Sequence, residues 1–374
     1  MPKQQMRIAI CGAGVGGLTL ALTLGIHSEH HVDLYEAGAE ISTIGAGISV
    51  WARTFEVLQL LGLHERMRER GISLDSVDQQ RTGPKFRRSD QAHAGYNFLT
   101  DAISSAFMYR FNILKSWAQT YTVVEGGLTM HRPDLIDLLK DHLPLNCSVH
   151  LRKRMTSYTT SSSGSALIKM HFADGTTATV DVLVGADGVR SATRETMFGA
   201  LANQYKSGFD GISHERLLRC KDPVWTGTVA YRCVYPAEKL RKVNPGHPGL
   251  DDQIIAKTAL VLPATPCQPL LTCCPLIQHI VSYPIARRTL INFIGFDTIP
   301  GAEDTRFPDK WVQDVPVKEF RDLYRGWEPD MQTLLNCADT PSRWAIHVTA
   351  PLPFYAHGNV ALLGDAVRHF LTDL

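Results

Sequence analysis

The sequence predicts an α/β fold: a doubly wound, largely parallel sheet interrupted by a mixed β-sheet insertion. Three observations predict it. The stretch "RIAICGAGVGGLTLALTLGIHSEHHVDLYE" reads as a strand, a glycine turn, a helix, a second strand and a closing acid. Two later apolar strands, in "VDVLVGADGVRSATR" and "NVALLGDA", end in Asp187-Gly188 and Gly364-Asp365. β-rich text lies between these pieces, which implies a discontinuous two-domain architecture. The expected division assigns 1–76, 109–200 and 297–374 to the α/β unit, and 77–108 and 201–296 to the insertion.

Taken in order, Arg7 to Cys11 forms the first strand, Val15 to Gly25 a helix, and Val32 to Tyr35 the second strand. "IGAGISV" follows as a short glycine-hinged strand. In "WARTFEVLQLLGL", Phe55, Leu58 and Leu61 recur at helical spacing, so one face should pack on a core. From Val77 to Met108 the text turns polar and then alternates, as in "AFMYRFN", which predicts antiparallel strands. "HRPDLIDLLKDHL" is an amphipathic helix with Pro133 near its first turn. "TTSSSGSA" (Thr159 to Ala166) reads as a flexible hairpin tip between strands at Val149–Tyr158 and Leu167–Phe172. "TVDVLVGADGVRSATRETMFG" is a buried strand, a tight turn and a helix. Short, proline-punctuated strands of a mixed or antiparallel sheet are expected from Val224 to Phe296. "VPVKEFRDLYRGWEPDMQTLLN" returns to helix, and "GNVALLGDA" closes with a buried strand.

Composition excludes several functional classes. With 374 residues, 44% of them hydrophobic, the chain is long enough for two domains or one large α/β unit. A net charge of +1 gives no electrostatic reason to bind nucleic acid or an anionic membrane. No apolar run reaches the length of a bilayer span and no signal peptide is evident, so a cytoplasmic location is expected. The eight cysteines are scattered, and Cys273-Cys274 lacks metal or redox spacing, which points to reduced structural thiols. No metal site is expected: "HSEHH" (His27 to His31) reads as a solvated turn. No internal repeat and no nucleophile motif stand out.

The chemistry concentrates at the strand ends. Gly12, Gly14 and Gly17 satisfy G-x-G-x-x-G directly after a strand. Gly12 permits the tight turn, Gly14 lets the backbone reach a pyrophosphate, and Gly17 lets helix and sheet approach. The helix N-terminus offers N–H groups and partial positive charge to phosphates. Glu36 closes the next strand, where a carboxylate accepts from adenosine ribose hydroxyls and repels a 2′-phosphate, favouring FAD or NAD over NADP. Asp187 and Asp365 close two further strands, where a doubly wound sheet binds its ligands. Taken singly, Asp187 reads equally well as a helix N-cap and Asp365 as a turn residue. Three strand ends in this order are harder to explain as turns.

With "GAGVGGL", "DLYEA", "IGAGISV", "HRPDL", "GADGVRSATR", "WTGTVAYRCVYP", "YPIARRTLINFIGF" and "NVALLGDA", nearly the whole chain resembles the single-component FAD-dependent aromatic monooxygenases. That family includes salicylate hydroxylase and para-hydroxybenzoate hydroxylase. The resemblance implies a Rossmann-like FAD-binding domain with an inserted mixed β-sheet substrate domain. It implies that Gly12, Gly14 and Gly17 hold the FAD pyrophosphate and Glu36 the adenosine ribose. Gly47, in the segment Gly45 to Ile48, would run beside the flavin. Arg132 would contact the pyrophosphate–ribityl region, Asp365 the ribityl chain, and Asp187 would help position both FAD and NAD(P)H. Tyr231 and Arg232 would face the flavin as catalytic residues, against a plainer reading as packing and surface groups.

The activity so implied uses NADH or NADPH and O₂ to hydroxylate a small aromatic or secondary-metabolite substrate through a flavin C4a-hydroperoxide. A flavin reductase or oxidase on the same scaffold and a catalytically dead remnant are the alternatives, with an ordinary NAD dehydrogenase third. The resemblance also implies an Ala-His pair, a glycine-rich loop and a long helix after Gly-Asp-Ala. Here Val367 and Arg368 follow, and the sequence closes at Leu374. On that reading the chain is truncated, binds FAD poorly and is impaired as an enzyme.

Overall fold

In a computed structural model, the described residues are 5–41, 47–50, 52–70, 85–94, 96–99, 128–160, 167–250, 255–258 and 278–367. A six-stranded sheet runs in the order 356–357, 360–362, 182–185, 7–11, 31–35, 147–150. All neighbours are parallel except the short hairpin at its 356–357 edge. Strict alternation along each strand divides two cores. Ile10, Val32, Leu34 and Val184 pack beneath the helices Val15–His27, Ala52–Leu60 and Arg132–Lys140. Ala9, Cys11, Leu183 and Leu362 face the other way, onto the helix Ala192–Gln204 and a three-stranded antiparallel sheet.

An eight-stranded sheet runs in the order 312–314, 342–348, 224–236, 290–298, 278–285, 255–258, 85–88, 96–99. One face carries Tyr231, Cys233, Ile280, Ile291 and Phe293 against Phe320, Met331 and Leu334 from the helices Val317–Leu323 and Pro329–Cys337, and against Tyr324, which follows the first of them. The opposite face carries Ala230, Val281, Tyr283, Ile294 and Phe296. Its strands are longer than the proline-punctuated sequence predicts: Val224–Pro236 has 13 residues and Leu290–Thr298 has nine. Pro236 only closes its strand. Pro284 lies beyond Ser282, which pairs with Ile255 where the described part of the neighbouring strand begins, so its missing N–H breaks no described bond on that side.

Two further expectations are corrected. The continuous strand Val149–Tyr158 is two strands, Cys147–His150 in the parallel sheet and Met155–Thr160 in the three-stranded one. Arg152, at φ 58°, turns the chain between them, and the N–H groups of Arg152 and Lys153 donate to Gly38 O and Glu36 O. The text after residue 296 does not leave the insertion at once, because Val312–Asp314 and Ser342–Val348 join the eight-stranded sheet. The chain returns to the parallel sheet near residue 356. The antiparallel pair Lys85–Arg88 and Tyr96–Leu99 lies within the stretch expected to hold such strands. Residues 77–84, 95 and 100–108 of that stretch, the tip 161–166, Gly45, Cys267, Cys273, Cys274 and Arg368 lie outside the described residues. No helix among the described residues is long and apolar enough to cross a membrane.

Candidate functional site

Four parallel strands end level with one another. Cys11 lies beside Tyr35 on one side and Gly185 on the other, and Gly185 lies beside Leu362. Glu36, the Gly12–Gly14 turn, Asp187 and Gly364-Asp365 therefore leave the sheet as neighbours. At about 4.8 Å per strand interval they span ~14 Å.

The glycine turn requires its glycines for different reasons. Gly12 has φ +102°, and its N–H donates to Tyr35 O at 2.8 Å. A Cβ on Gly12 would run into Ala186 O, and one on Gly17 into Gly12 O. Around Gly14 none of the described residues lies within 4 Å of where a Cβ would be. Gly14 caps the helix Val15–His27 with extended backbone, no side-chain cap and no acid in the first turn. Its N-terminus is therefore a bare, approachable anion site.

Two carboxylates flank that turn. Glu36 accepts from Ala13 N–H at 2.9 Å through Oε2 and from Gly38 N–H at 2.7 Å through Oε1. Each oxygen keeps a second lone pair for another donor. Asp187 Oδ2 accepts from the Thr193 N–H at 3.0 Å and hydroxyl at 2.9 Å, supporting the helix Ala192–Gln204 that Ser191 caps. Asp187 Oδ1 is buried with no partner among the described residues. Burial, reinforced by this nearby carboxylate, holds the Cys11 thiol well above its ordinary pKa. Asp365 is exposed in the turn Gly364–Ala366, where Gly364 has φ +64° and open space beside it. A bare helix N-terminus, acids on both sides and one orphaned carboxylate oxygen fit an extended, hydroxyl-rich dinucleotide such as FAD.

Arg194, in the same "DGVRSATR" stretch, ties these loops together. It is fully buried, and its guanidinium donates to Val189 O at 2.6 Å, Ala366 O at 3.0 Å and Lys221 O at 3.2 Å. Sequence reasoning assigned it no role, because a motif arginine reads as a surface cation until its burial is seen. Beside it Arg190 lies 3.7 Å over the Trp311 ring, at a cavity of about 310 Å³ shared with Lys221.

Gly47 and Arg132 also lie close in register. The strand Gly47–Val50 pairs with Leu128–His131, placing Gly47 opposite His131, next to Arg132 at the start of its helix. Ile48 and Val50 share one apolar cluster with Ala13, Val15 and Leu363. Gly47 N–H donates to Asn292 Oδ1 at 3.2 Å, and a Cβ on Gly47 would come within 2.5–2.8 Å of the Tyr283 ring and hydroxyl. The Gly47 strand thus rests on the eight-stranded sheet.

The structure separates Tyr231 from Arg232. Adjacent strand residues point to opposite faces, and only the Arg232 face is shared with Tyr283 and Asn292. There the Arg232 guanidinium lies 5.2 Å over the Trp344 ring. Tyr231 is buried in the helix layer, where its hydroxyl donates to Glu319 Oε1 at 2.9 Å and its ring stacks on Phe320 at 5.5 Å. Burial first, and the Glu319 bond second, push its phenol pKa up. Tyr231→Phe should therefore cost about 1 kcal/mol of stability and leave FAD affinity unchanged in a flavin titration. A large loss of affinity would return Tyr231 to the site.

Three residues on the Arg232 face carry no motif: His279, Tyr283 and Asn292. The only signal available for them was an isolated polar residue in an otherwise apolar run. The His279 ring stacks on Phe296 at 4.3 Å, its Nδ1 has no partner among the described residues, and burial pushes its pKa down to about 4. An exposed histidine titrates near ~6.5, so between these values the unfolded chain binds more protons. His279 therefore costs no stability above about pH 6.5, and stability falls by at most about 3 kcal/mol as pH drops toward 4. His279→Gln should flatten the pH dependence of the urea midpoint across that window.

Residues 5–214 match the family described as FAD binding domain. An FAD-dependent monooxygenase of Strobilurus tenacellus is 32% identical over 383 residues, covering 99% of this chain and 73% of that relative. A salicylate hydroxylase of Pseudomonas putida is 28% identical, covering 99% of this chain and 72% of its own length. Among solved structures, a salicylate hydroxylase substrate complex is similar at TM-score 0.66 and 26% identity, over 98% of this chain and 74% of that one. A 2,6-dihydroxypyridine-3-hydroxylase from Arthrobacter nicotinovorans shares the fold at TM-score 0.61 and 18% identity, over 98% and 78%.

Proposed function

Because the chain belongs to the FAD-dependent aromatic monooxygenases, with their para-hydroxybenzoate hydroxylase-like fold, we propose that it uses FAD, NADH or NADPH, and O₂ to hydroxylate a small aromatic or secondary-metabolite substrate. One observation carries the reading: the ends of four level strands bring Glu36, the bare Gly14 helix terminus, Asp187 and Asp365 into a single row.

In this reading Gly12, Gly14 and Gly17 hold the pyrophosphate against the helix N-terminus, with Arg132 as its cationic neighbour. Glu36 accepts from the adenosine ribose hydroxyls. Asp187, through its orphaned Oδ1, and Asp365 accept from the ribityl chain. FAD, when bound, supplies electron transfer from the nicotinamide and the activation of O₂. The protein positions the aromatic ring and excludes water, and the apolar face of Ala230, Val281, Ile294 and Phe296 suits both tasks. Arg232, stacked over Trp344 on that face, would help orient a substrate.

The test supplies the purified chain with FAD, either nicotinamide, and a panel of phenols that includes salicylate. Oxygen uptake matched one-to-one by oxygenated product is the expected result. Nicotinamide oxidation without such product would assign the chain to reductase or oxidase chemistry. A folded chain that binds ligand but consumes no nicotinamide would make it a remnant.

A further inference from the structure

Asn292 is a buried polar side chain that the packing of its own sheet leaves half used. It lies 1% exposed on the strand Leu290–Thr298, across from Tyr283 on one side and Val234 on the other. Its Oδ1 accepts from Gly47 N–H at 3.2 Å. That bond fixes the orientation of the carboxamide, since only its oxygen can meet a backbone donor. The amide nitrogen is thereby left buried, with no partner among the described residues. Buried donors of this kind are uncommon, and each marks strain or a missing acceptor.

Its place in the molecule indicates which acceptor is missing. Gly47 opens the strand whose Ile48 packs with Ala13, Val15 and Leu363, the residues bordering the glycine turn and the Gly364-Asp365 turn. The orphaned donor sits where that strand meets the eight-stranded sheet. We propose that Asn292 is a cofactor-binding residue: Oδ1 holds the Gly47 strand, and the Nδ2 amide donates to a carbonyl or ring-nitrogen acceptor of the bound flavin. The assignment rests on the FAD reading above.

FAD titration with fluorescence readout, together with the absorption spectrum of the bound flavin, tests it on the full chain. Asn292→Asp keeps an oxygen for Gly47 N–H and removes the donor. It should weaken FAD binding about tenfold, as expected for one lost hydrogen bond, and shift the bound spectrum. The buried carboxylate should also lower the melting temperature without FAD, so affinity is compared at a temperature where each variant is folded. Asn292→Ala also releases Gly47 N–H and should weaken binding further, which keeps the test decisive if the aspartate variant folds poorly. A folded variant with wild-type affinity and spectrum overturns the assignment, leaving a water as the partner. A wild-type chain that binds no FAD overturns the underlying reading instead.

Discussion

Gly14→Val leaves a stable protein that binds FAD far more weakly, whereas Gly17→Ala is a clearly destabilised protein. The two glycines stand three residues apart in one fingerprint, yet they face opposite constraints. A Cβ on Gly17 would collide with Gly12 O, a backbone atom that cannot rotate aside. Overpacking of this kind typically costs about 1–3 kcal/mol, and an immovable backbone partner puts the cost at the top of that range. It falls where the first helix crosses the first strand, at the centre of the parallel sheet.

A Cβ on Gly14 meets nothing within 4 Å among the described residues, so a side chain there disturbs none of their atoms. What it fills is the approach to the bare helix terminus. Stability should change by less than about 1 kcal/mol, the scale of an N-cap substitution. FAD affinity should fall about 100-fold, or roughly 2.7 kcal/mol. Urea denaturation and flavin titration on both variants measure the contrast. If Gly14→Val bound FAD as the wild type does, the open space beside the helix would not be a phosphate site.

The second large effect belongs to Arg194→Met. The guanidinium is fully buried and satisfies carbonyls on three separate segments, Val189, Lys221 and Ala366. Burial draws its pKa down while the Asp187 carboxylate opposes that shift, and the group remains charged. Methionine fills the volume but leaves three carbonyls without their donor. Breaking a buried charged network by removing one partner costs about 3–5 kcal/mol. Because Val189 and Ala366 adjoin Asp187-Gly188 and Asp365, FAD affinity should fall with stability. Arg194→Lys should rescue little, since a single ammonium cannot reproduce the planar fork. A methionine variant with the wild-type urea midpoint would show that the three segments are held by other contacts.

The parallel sheet was legible because its grammar is local. Arg7–Cys11, the glycine turn and the helix from Val15 are each specified by neighbours in sequence, and Gly17 is needed for its approach to Gly12 within that one unit, whereas the contact of Gly12 with Ala186 O is made by a segment distant in sequence. The insertion was less legible because its central strands are buried on both faces. In "TVAYRCVY" the hydrophobic pattern gives no contrast between the Tyr231 side and the Arg232 side. Only the helices at 317–337, distant in sequence, show that Tyr231 points into their layer. Asn292 was hidden for the same reason, being one polar residue in an otherwise apolar strand. The break at Arg152 was missed because a non-glycine residue with positive φ leaves no compositional mark.

Everything proposed for catalysis presupposes that one FAD lies along the ends of the four level strands. The most direct measurement is a fluorescence titration of FAD against wild-type, Gly14→Val, Asp187→Ala and Asp365→Ala chains, each checked for folding by circular dichroism. The account predicts saturable binding of one FAD per wild-type chain, lost or weakened in all three folded variants. Wild-type affinity retained in the glycine variant and both aspartate variants would contradict it.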